Sequence, residues 1–277
     1  MRLKVIFSFL AIQLVSFAIW QGVNALGKTD VTIQPVSDNY KSDVNHQAAK
    51  APEQPFGNVK FTMRTENKDF YTLNSDKKHE IISVLEKFPE EQISTLQNII
   101  LDYDPDAHRG LGGKGIIIIR AVNIDTAEFY GVMIHEIAHD VDLGYLNEKS
   151  TKKISAFNDG KKPVYESDSS LSFYRICWEN NKNFKKDVGN QDFVSGYAMT
   201  DPFEDFAETY AYYVLHNKDF KSKTQNSEKL LAKFNYMKNT VFGGKEFDTG
   251  EYLTENLTRQ PWDVTKLSYN LNEFLNS

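Results

Sequence analysis

Residues 132–142 read VMIHEIAHDVD, and this stretch decides how the rest of the chain is interpreted. Its apolar residues recur at the i, i+3, i+4 and i+7 spacing of a helix with one face on a core: Ile134, Ile137, Ala138 and Val141. His135 and His139 are four residues apart, so on a helix they share a face, with Cβ atoms about 5–6 Å apart. Two imidazoles so placed can bind one zinc ion, with Glu136 beside them to polarise a water. The alternative is an ordinary amphipathic helix with two surface histidines.

A catalytic zinc ion needs a third protein ligand and one open position for water. A Gly-x-x-His continuation of the motif is absent, because Asp142 and Tyr145 stand at those two positions. Two sources of a third ligand remain: Asp142 itself, or a carboxylate on a later helix. Cysteine is excluded as a source of a thiolate-rich site, because Cys177 is the only one in the chain.

A later stretch, 197–215, reads YAMTDPFEDFAETYAYYVL and predicts a second helix. Asp201 fits its N-cap and Pro202 its first position. Glu204 and Glu208 are four residues apart and share the face opposite the apolar stripe. Taken alone, Glu204 is more simply the N3 residue of a capping box with Asp201. Beside a His-Glu-x-x-His helix, a face with two carboxylates is what a zinc site requires, and Glu204 is the favoured third ligand.

Together these stretches resemble a known group, the anthrax lethal factor-like zinc metallopeptidases, which include the secreted Pro-Pro endopeptidases. The resemblance is carried by GLGG at 110–113 before a strand, HEIAHDVD at 135–142, and Tyr197 seven residues before Glu204 in EDFAE. It covers roughly residues 57–243. It implies an α+β, zincin-like metallopeptidase domain, in which a small mixed sheet places an edge strand over the active-site helix and a mainly helical C-terminal half follows.

The resemblance also implies a role for each matching residue. His135, His139 and Glu204 would ligate one Zn²⁺ per chain, Glu136 would be the general base, and Tyr197 would donate a hydrogen bond or proton at the tetrahedral intermediate. Two further residues, Asp142 and Glu208, would orient the ligating imidazoles. Without the resemblance, Tyr197 is more simply a packed loop aromatic.

The N-terminus predicts export. Residues 1–4 are basic (MRLK), residues 5–20 are almost wholly apolar, and Val23 and Ala25 fit a cleavage site of small residues. The apolar run is shorter than the roughly 20 residues of a spanning helix. We therefore expect a signal peptide over 1–25, with an uncleaved membrane anchor as the alternative. Residues 26–56 have few large apolar side chains, which predicts a disordered linker.

The remaining 57–277 are expected to form one domain, with a family-like core over about 57–243 and a C-terminal extension over 244–277. Four isoleucines in IIIIR (116–120) predict a strand, with the glycine-rich 109–115 as a loop before it. A helix is predicted over about 76–88, capped by Ser75. Over residues 150–190 we predict a variable connection that carries one helix.

These features predict an exported zinc endopeptidase that cleaves extracellular or cell-surface proteins. Its peptide substrate would lie extended along the 115–120 strand by β-strand addition. The alternative is a zincin-like docking module of a toxin or surface protein without turnover. The localisation follows from the leader: secreted, or membrane-anchored and facing outside. The net charge of −6 disfavours a broad nucleic-acid surface. The oligomeric state cannot be inferred from the sequence.

Overall fold

The computed structural model describes residues 56, 58–148, 150–250 and 260–277. All of them belong to the compact unit Pro55–Ser277. The predicted leader (1–25) and, apart from Phe56, the predicted linker (26–56) lie outside the described residues. Within the described part of the chain, no helix is both long and apolar enough to cross a membrane.

A five-stranded mixed sheet forms the first half of the domain, as expected for an α+β fold. In chain order its strands are β1 (Lys60–Arg64), β2 (Phe70–Thr72), β3 (Asn98–Asp102), β4 (Gly110–Gly113) and β5 (Ile116–Arg120). They lie side by side in the order β2-β1-β3-β5-β4. The three inner strands are parallel, and the two outer ones pair antiparallel with their neighbours. The outer strands β2 and β4 are therefore the two edges.

The isoleucine-rich strand β5 lies inside the sheet. Ile117 and Ile119 are fully buried and Ile118 nearly so, which explains a run without the polar alternation of a one-sided strand. Its backbone is paired with β3 on one side and β4 on the other. The prediction that a peptide pairs with the 115–120 strand is therefore wrong, because neither edge of this strand is free. The glycine-rich segment, predicted as a loop, supplies the edge strand β4, and Gly115 turns the chain into β5 at φ 80°.

Helices dominate the second half, as predicted, and two more lie between β2 and β3. In chain order the α-helices are α1 (Ser75–Leu85), α2 (Glu90–Ile93), α3 (Thr126–Asp140), α4 (Leu171–Cys177), α5 (Pro202–Leu215), α6 (Asn217–Lys223), α7 (Glu228–Tyr236) and α8 (Leu271–Asn276). Single π-helical turns extend α3 over Val141–Tyr145 and α7 over Met237–Val241. The cap of α1 is Asn74, whose Oδ1 accepts from Lys77 N at 2.9 Å, one residue before the predicted Ser75.

The connection between the two motifs has more structure than the sequence predicted. Besides α4 it holds two hairpins, β6 (Ile154–Asp159) with β7 (Lys162–Tyr165), and β8 (Trp178–Asn180) with β9 (Asn183–Phe184). Only Phe157 is buried in β6, so the alternation that reveals a strand is weak here. Gly160 at φ 57° allows the tight turn between β6 and β7.

Helix α3 is the centre of the domain, since it packs against β4 and β5 on one side and α5 on the other. Every residue from 129 to 140 is buried, whereas the sequence pattern predicted a single buried face. A helix covered all round is typical of a core element. The consequence is that the polar residues of the HEIAH motif lie in the interior rather than on a solvated surface.

Candidate metal centre

Helix α3 places the two histidines of the motif on one face. Asp125 caps its start by accepting from Glu128 N at 2.8 Å. One turn apart, His135 and His139 have ring centroids 5.1 Å from each other. Both imidazoles are more than nine-tenths buried. The local helix thus brings together the pair that its sequence spacing predicted.

Helix α5 brings Glu204 to this pair. Asp201 caps α5 by accepting from the backbone of Phe203 at 2.9 Å and of Glu204 at 3.0 Å. The Glu204 side chain contacts both imidazoles instead of completing a capping box. Its Oε2 lies 3.2 Å from His135 Nε2 and 3.4 Å from His139 Nε2. The two-helix arrangement that the sequence favoured over a simple cap is therefore present.

The donor set fits zinc. His135, His139 and Glu204 each offer one ligand atom, and these three atoms all lie within 4.8 Å of one another. Ligands about 2.0–2.1 Å from a tetrahedral zinc ion lie about 3.3 Å from each other, which the distances from Glu204 Oε2 match. Two imidazoles and one carboxylate are a ligand set of catalytic zinc sites, which keep a fourth position open.

Glu208 holds the outer side of His135. Its Oε1 lies 3.0 Å from His135 Nδ1, and neither atom has another hydrogen-bond partner in the described part of the chain. The other oxygen accepts from Ser195 Oγ at 2.5 Å and from Val264 N at 2.8 Å. A carboxylate so placed fixes the ring and its tautomer. The sequence named Glu208 for this position but missed Ser195 and Val264, which no motif identifies.

Asp142 is paired with a tyrosine instead of with an imidazole. Its two oxygens lie 2.7 and 2.6 Å from the hydroxyl of Tyr174. It lies close enough to His139 for their charges to interact, but no hydrogen bond joins it to either imidazole in the described part of the chain. That Asp142 orients a ligating ring therefore stays a prediction.

Strand β4 covers Glu136 at close range. An added Cβ at Gly110 would lie 2.0 Å from Glu136 Oε1, and one at Gly112 would lie 2.7 Å from both the backbone oxygen and Oε2 of Glu136. Only glycine allows this approach. Asp140, the last residue of α3, accepts from Gly115 N at 2.5 Å, in the turn between β4 and β5, and from Thr95 Oγ1 at 3.0 Å, just before β3. The GLGG run was the signal for this packing.

Tyr197 lies on the other side of His135. Its ring is half-buried, with its centroid 6.0 Å from that of His135 and the planes 24° apart. Burial raises the pKa of Tyr197 well above its ordinary value, and Glu204 and Glu136 raise it further. Its hydroxyl therefore stays protonated, and a protonated hydroxyl can donate a hydrogen bond into the site.

The carboxylates make the site favourable for a cation. Burial opposes protonation of His135, but Glu204 and Glu208 outweigh it and raise its pKa well above the usual value. Burial also disfavours the charged form of Glu204, yet His139 and His135 hold the pKa of this carboxylate far below its normal value. Burial also raises the pKa of Glu136, an effect that the two histidines partly offset.

Comparison with known proteins agrees with this geometry. A family model described as "putative zinc-binding metallo-peptidase" matches residues 125–277, which is more than half of the chain. No curated protein matches the chain. The matched range holds α3, α5 and the C-terminal residues that the sequence placed beyond the core. With the His, His and Glu side chains converging inside that range, the chain belongs to this family of zinc-binding metallopeptidases.

Proposed function

We propose that the protein is an exported, zinc-dependent endopeptidase of the lethal factor-like group. The observation that carries the proposal is the convergence of His135 Nε2, His139 Nε2 and Glu204 Oε2, with Glu136 beside them and under the edge strand β4. The GLGG, HEIAHDVD and Tyr-x6-Glu motifs support the lethal factor-like assignment. The apolar segment 5–20 supports export, with a membrane anchor as the second reading of the same segment.

His135, His139 and Glu204 would hold the zinc ion. When bound, zinc supplies a Lewis acid that polarises the scissile carbonyl and lowers the pKa of a water. Glu136 accepts the proton of that water as the new C–O bond forms, and returns it to the leaving amine as the C–N bond breaks. Tyr197 donates a hydrogen bond to the oxygen that gains negative charge. Glu208 keeps His135 in the tautomer whose Nε2 faces the ligand set.

A peptide would bind along β4 instead of β5. Strand β4 is the last in the sheet order, so its outer edge offers backbone groups to an extended chain. It also lies directly over Glu136. A peptide that adds to this edge therefore passes over the catalytic helix. This keeps the expected β-strand addition and moves it to the neighbouring strand.

The test is digestion of a peptide library by the full chain, with and without a metal chelator. We expect cleavage that the chelator stops and added Zn²⁺ restores. The matched variant is Glu136→Gln, which keeps the shape and every zinc ligand. It should lower turnover by about 10²–10⁴-fold while zinc content, measured by atomic absorption, stays at one per chain.

Turnover of Glu136→Gln at the wild-type rate would contradict the assignment of the general base. A wild type that binds zinc and a peptide but cleaves nothing would favour the docking module. Mass spectrometry of the mature N-terminus separates the two readings of the leader: a start near residue 26 indicates secretion, and an intact start indicates an anchor.

A further inference from the structure

The C-terminal segment 260–266 runs alongside the candidate site. Gly196 N donates to Pro261 O at 2.8 Å, and Tyr197 N donates to Trp262 O at 2.6 Å. These two bonds join the C-terminal segment to the short turn that presents the Tyr197 ring. The backbone on either side of the Trp262 side chain is therefore fixed relative to Tyr197.

The next residues of the segment are equally well anchored. Val264 N donates to the Glu208 carboxylate at 2.8 Å. Asp263 Oδ2 lies 2.6 Å from Arg109 Nη1, just before β4. The segment is thus tied both to the residue behind His135 and to the strand that covers Glu136. The segment is therefore fixed relative to the site and is not an independent tail.

Between Pro261 and Thr265, Trp262 is the residue whose side chain faces solvent. It is 65% exposed, the highest value for a large apolar side chain in the described part of the chain. One face of the indole packs on Gly196, where an added Cβ would lie 2.6 Å from Trp262 Cε3. A glycine at this contact lets the ring lie flat on the backbone. The ring is therefore held in place without being buried.

A row of three rings leads from the ligand set to solvent. The centroids of His135 and Tyr197 are 6.0 Å apart, and those of Tyr197 and Trp262 are 6.4 Å apart. The first ring is buried, the second half-buried and the third exposed. At about 3.3 Å per residue of an extended peptide, Trp262 lies within reach of a side chain about one to four residues from the scissile bond.

We propose that Trp262 is a specificity-determining residue that binds an apolar side chain of the peptide substrate near the scissile bond. The inference rests on the proposed peptidase function and deepens it. An exposed indole that is already ordered loses little entropy when it covers an apolar side chain. One apolar contact of this kind discriminates between substrates by about 10–200-fold.

The experiment compares kcat/KM of wild type, Trp262→Ala and Trp262→Phe on a series of peptides. The series varies each position within four residues of the cut from leucine to glycine. At one of these positions we expect wild type to prefer leucine by about tenfold or more. Trp262→Ala should remove that preference, and Trp262→Phe should keep most of it. The matched control is Phe70→Ala, which removes another exposed aromatic, on β2 at the opposite edge of the sheet.

A second measurement does not depend on turnover. In a Glu136→Gln background, an uncleaved leucine peptide should shift the tryptophan emission to shorter wavelength. The additional change Trp262→Phe should abolish the shift. Trp20 and Trp178 are present in both proteins, so a shift that is lost with Trp262 comes from Trp262.

The outcomes separate the two proposals. An active wild type whose leucine preference survives in Trp262→Ala overturns this inference and leaves the peptidase intact. The same holds if Phe70→Ala has an equal effect. A wild type without chelator-sensitive cleavage overturns the proposed function and this inference with it.

Discussion

Glu204 and Asp205 are neighbours in α5, yet their carboxylates enter two different buried charge clusters. Glu204 joins His135 and His139, and its side chain remains 20% exposed. The carboxylate of Asp205 instead lies 2.7 Å from Lys233 Nζ, and both of these side chains are fully buried. We call the first the open cluster and the second the closed cluster.

The closed cluster satisfies its own polar groups. Besides Lys233, Asp205 accepts from Trp178 Nε1 at 3.0 Å, and Lys233 also donates to the backbone oxygen of Asp192 at 3.0 Å. In the open cluster, one possible ligand atom each from His135, His139 and Glu204 converges on one point. The comparison teaches that buried charge alone does not identify a functional site. A site for a ligand is a cluster whose polar atoms point at each other without completing their own partners.

The largest effect is expected from breaking the closed cluster. Lys233→Met leaves the Asp205 carboxylate buried without its cation, which costs about 3–5 kcal/mol of unfolding free energy. Urea denaturation measures the loss. The control is Lys233→Met with Asp205→Asn, which removes the unpaired charge and keeps an acceptor for Trp178. It should recover part of the stability. A single variant as stable as wild type would show that the pair does not stabilise the fold.

The next effect concerns the open cluster and should leave stability unchanged. Tyr197→Phe removes the hydroxyl that is proposed to stabilise the oxyanion, while its ring still packs between His135 and Trp262. We expect kcat to fall by about 10²–10³-fold and KM to change little. Steady-state kinetics test this, with the melting temperature as the control. If kcat is unchanged, or if activity falls only together with stability, Tyr197 is a packing residue.

A smaller effect is expected behind the ligands. Glu208→Gln weakens the contact with His135 Nδ1 and should lower zinc affinity by about 10–100-fold. Competition with a chromogenic chelator measures the affinity. Ser195→Ala is the matched control, since it removes one of the bonds to Glu208 and leaves the carboxylate in place. It should have a weaker effect. Equal affinity in wild type and Glu208→Gln would contradict an orienting role.

The smallest effect concerns a buried histidine outside both clusters, at the end of α5. His216 is fully buried, and burial lowers its pKa from 6.5 to about 4. Between these values the unfolded chain binds a proton that the folded chain does not. Stability therefore falls as the pH drops, by about 1 kcal/mol between pH 6.5 and 5.5. Urea titrations at both pH values measure this, and His216→Leu should show a smaller difference. An equal difference in both proteins would contradict burial of a neutral histidine.

Local patterns were enough to predict the elements that carry the site. The i, i+4 spacing of His135 and His139 and the cap at Asp201 both depend on a few neighbouring residues, and the structure has them as predicted. The hydrogen bond between Tyr174 and Asp142 could not be predicted in this way, because it joins residues 32 positions apart in the chain. The hairpins between 154 and 184 were missed because short exposed strands bury few side chains.

The sequence by itself determined the chemistry of this protein: which side chains can ligate zinc, and which helices they stand on. It did so because helix periodicity and capping are local. The tertiary structure alone decided three further points. The first is that β4 rather than β5 is a free edge of the sheet. The second is that Glu204 contacts the imidazoles while Asp205 contacts Lys233. The third is that Trp262 lies beside Tyr197. These contacts join residues far apart in the chain, and strand order and packing, not spacing, set which of them meet.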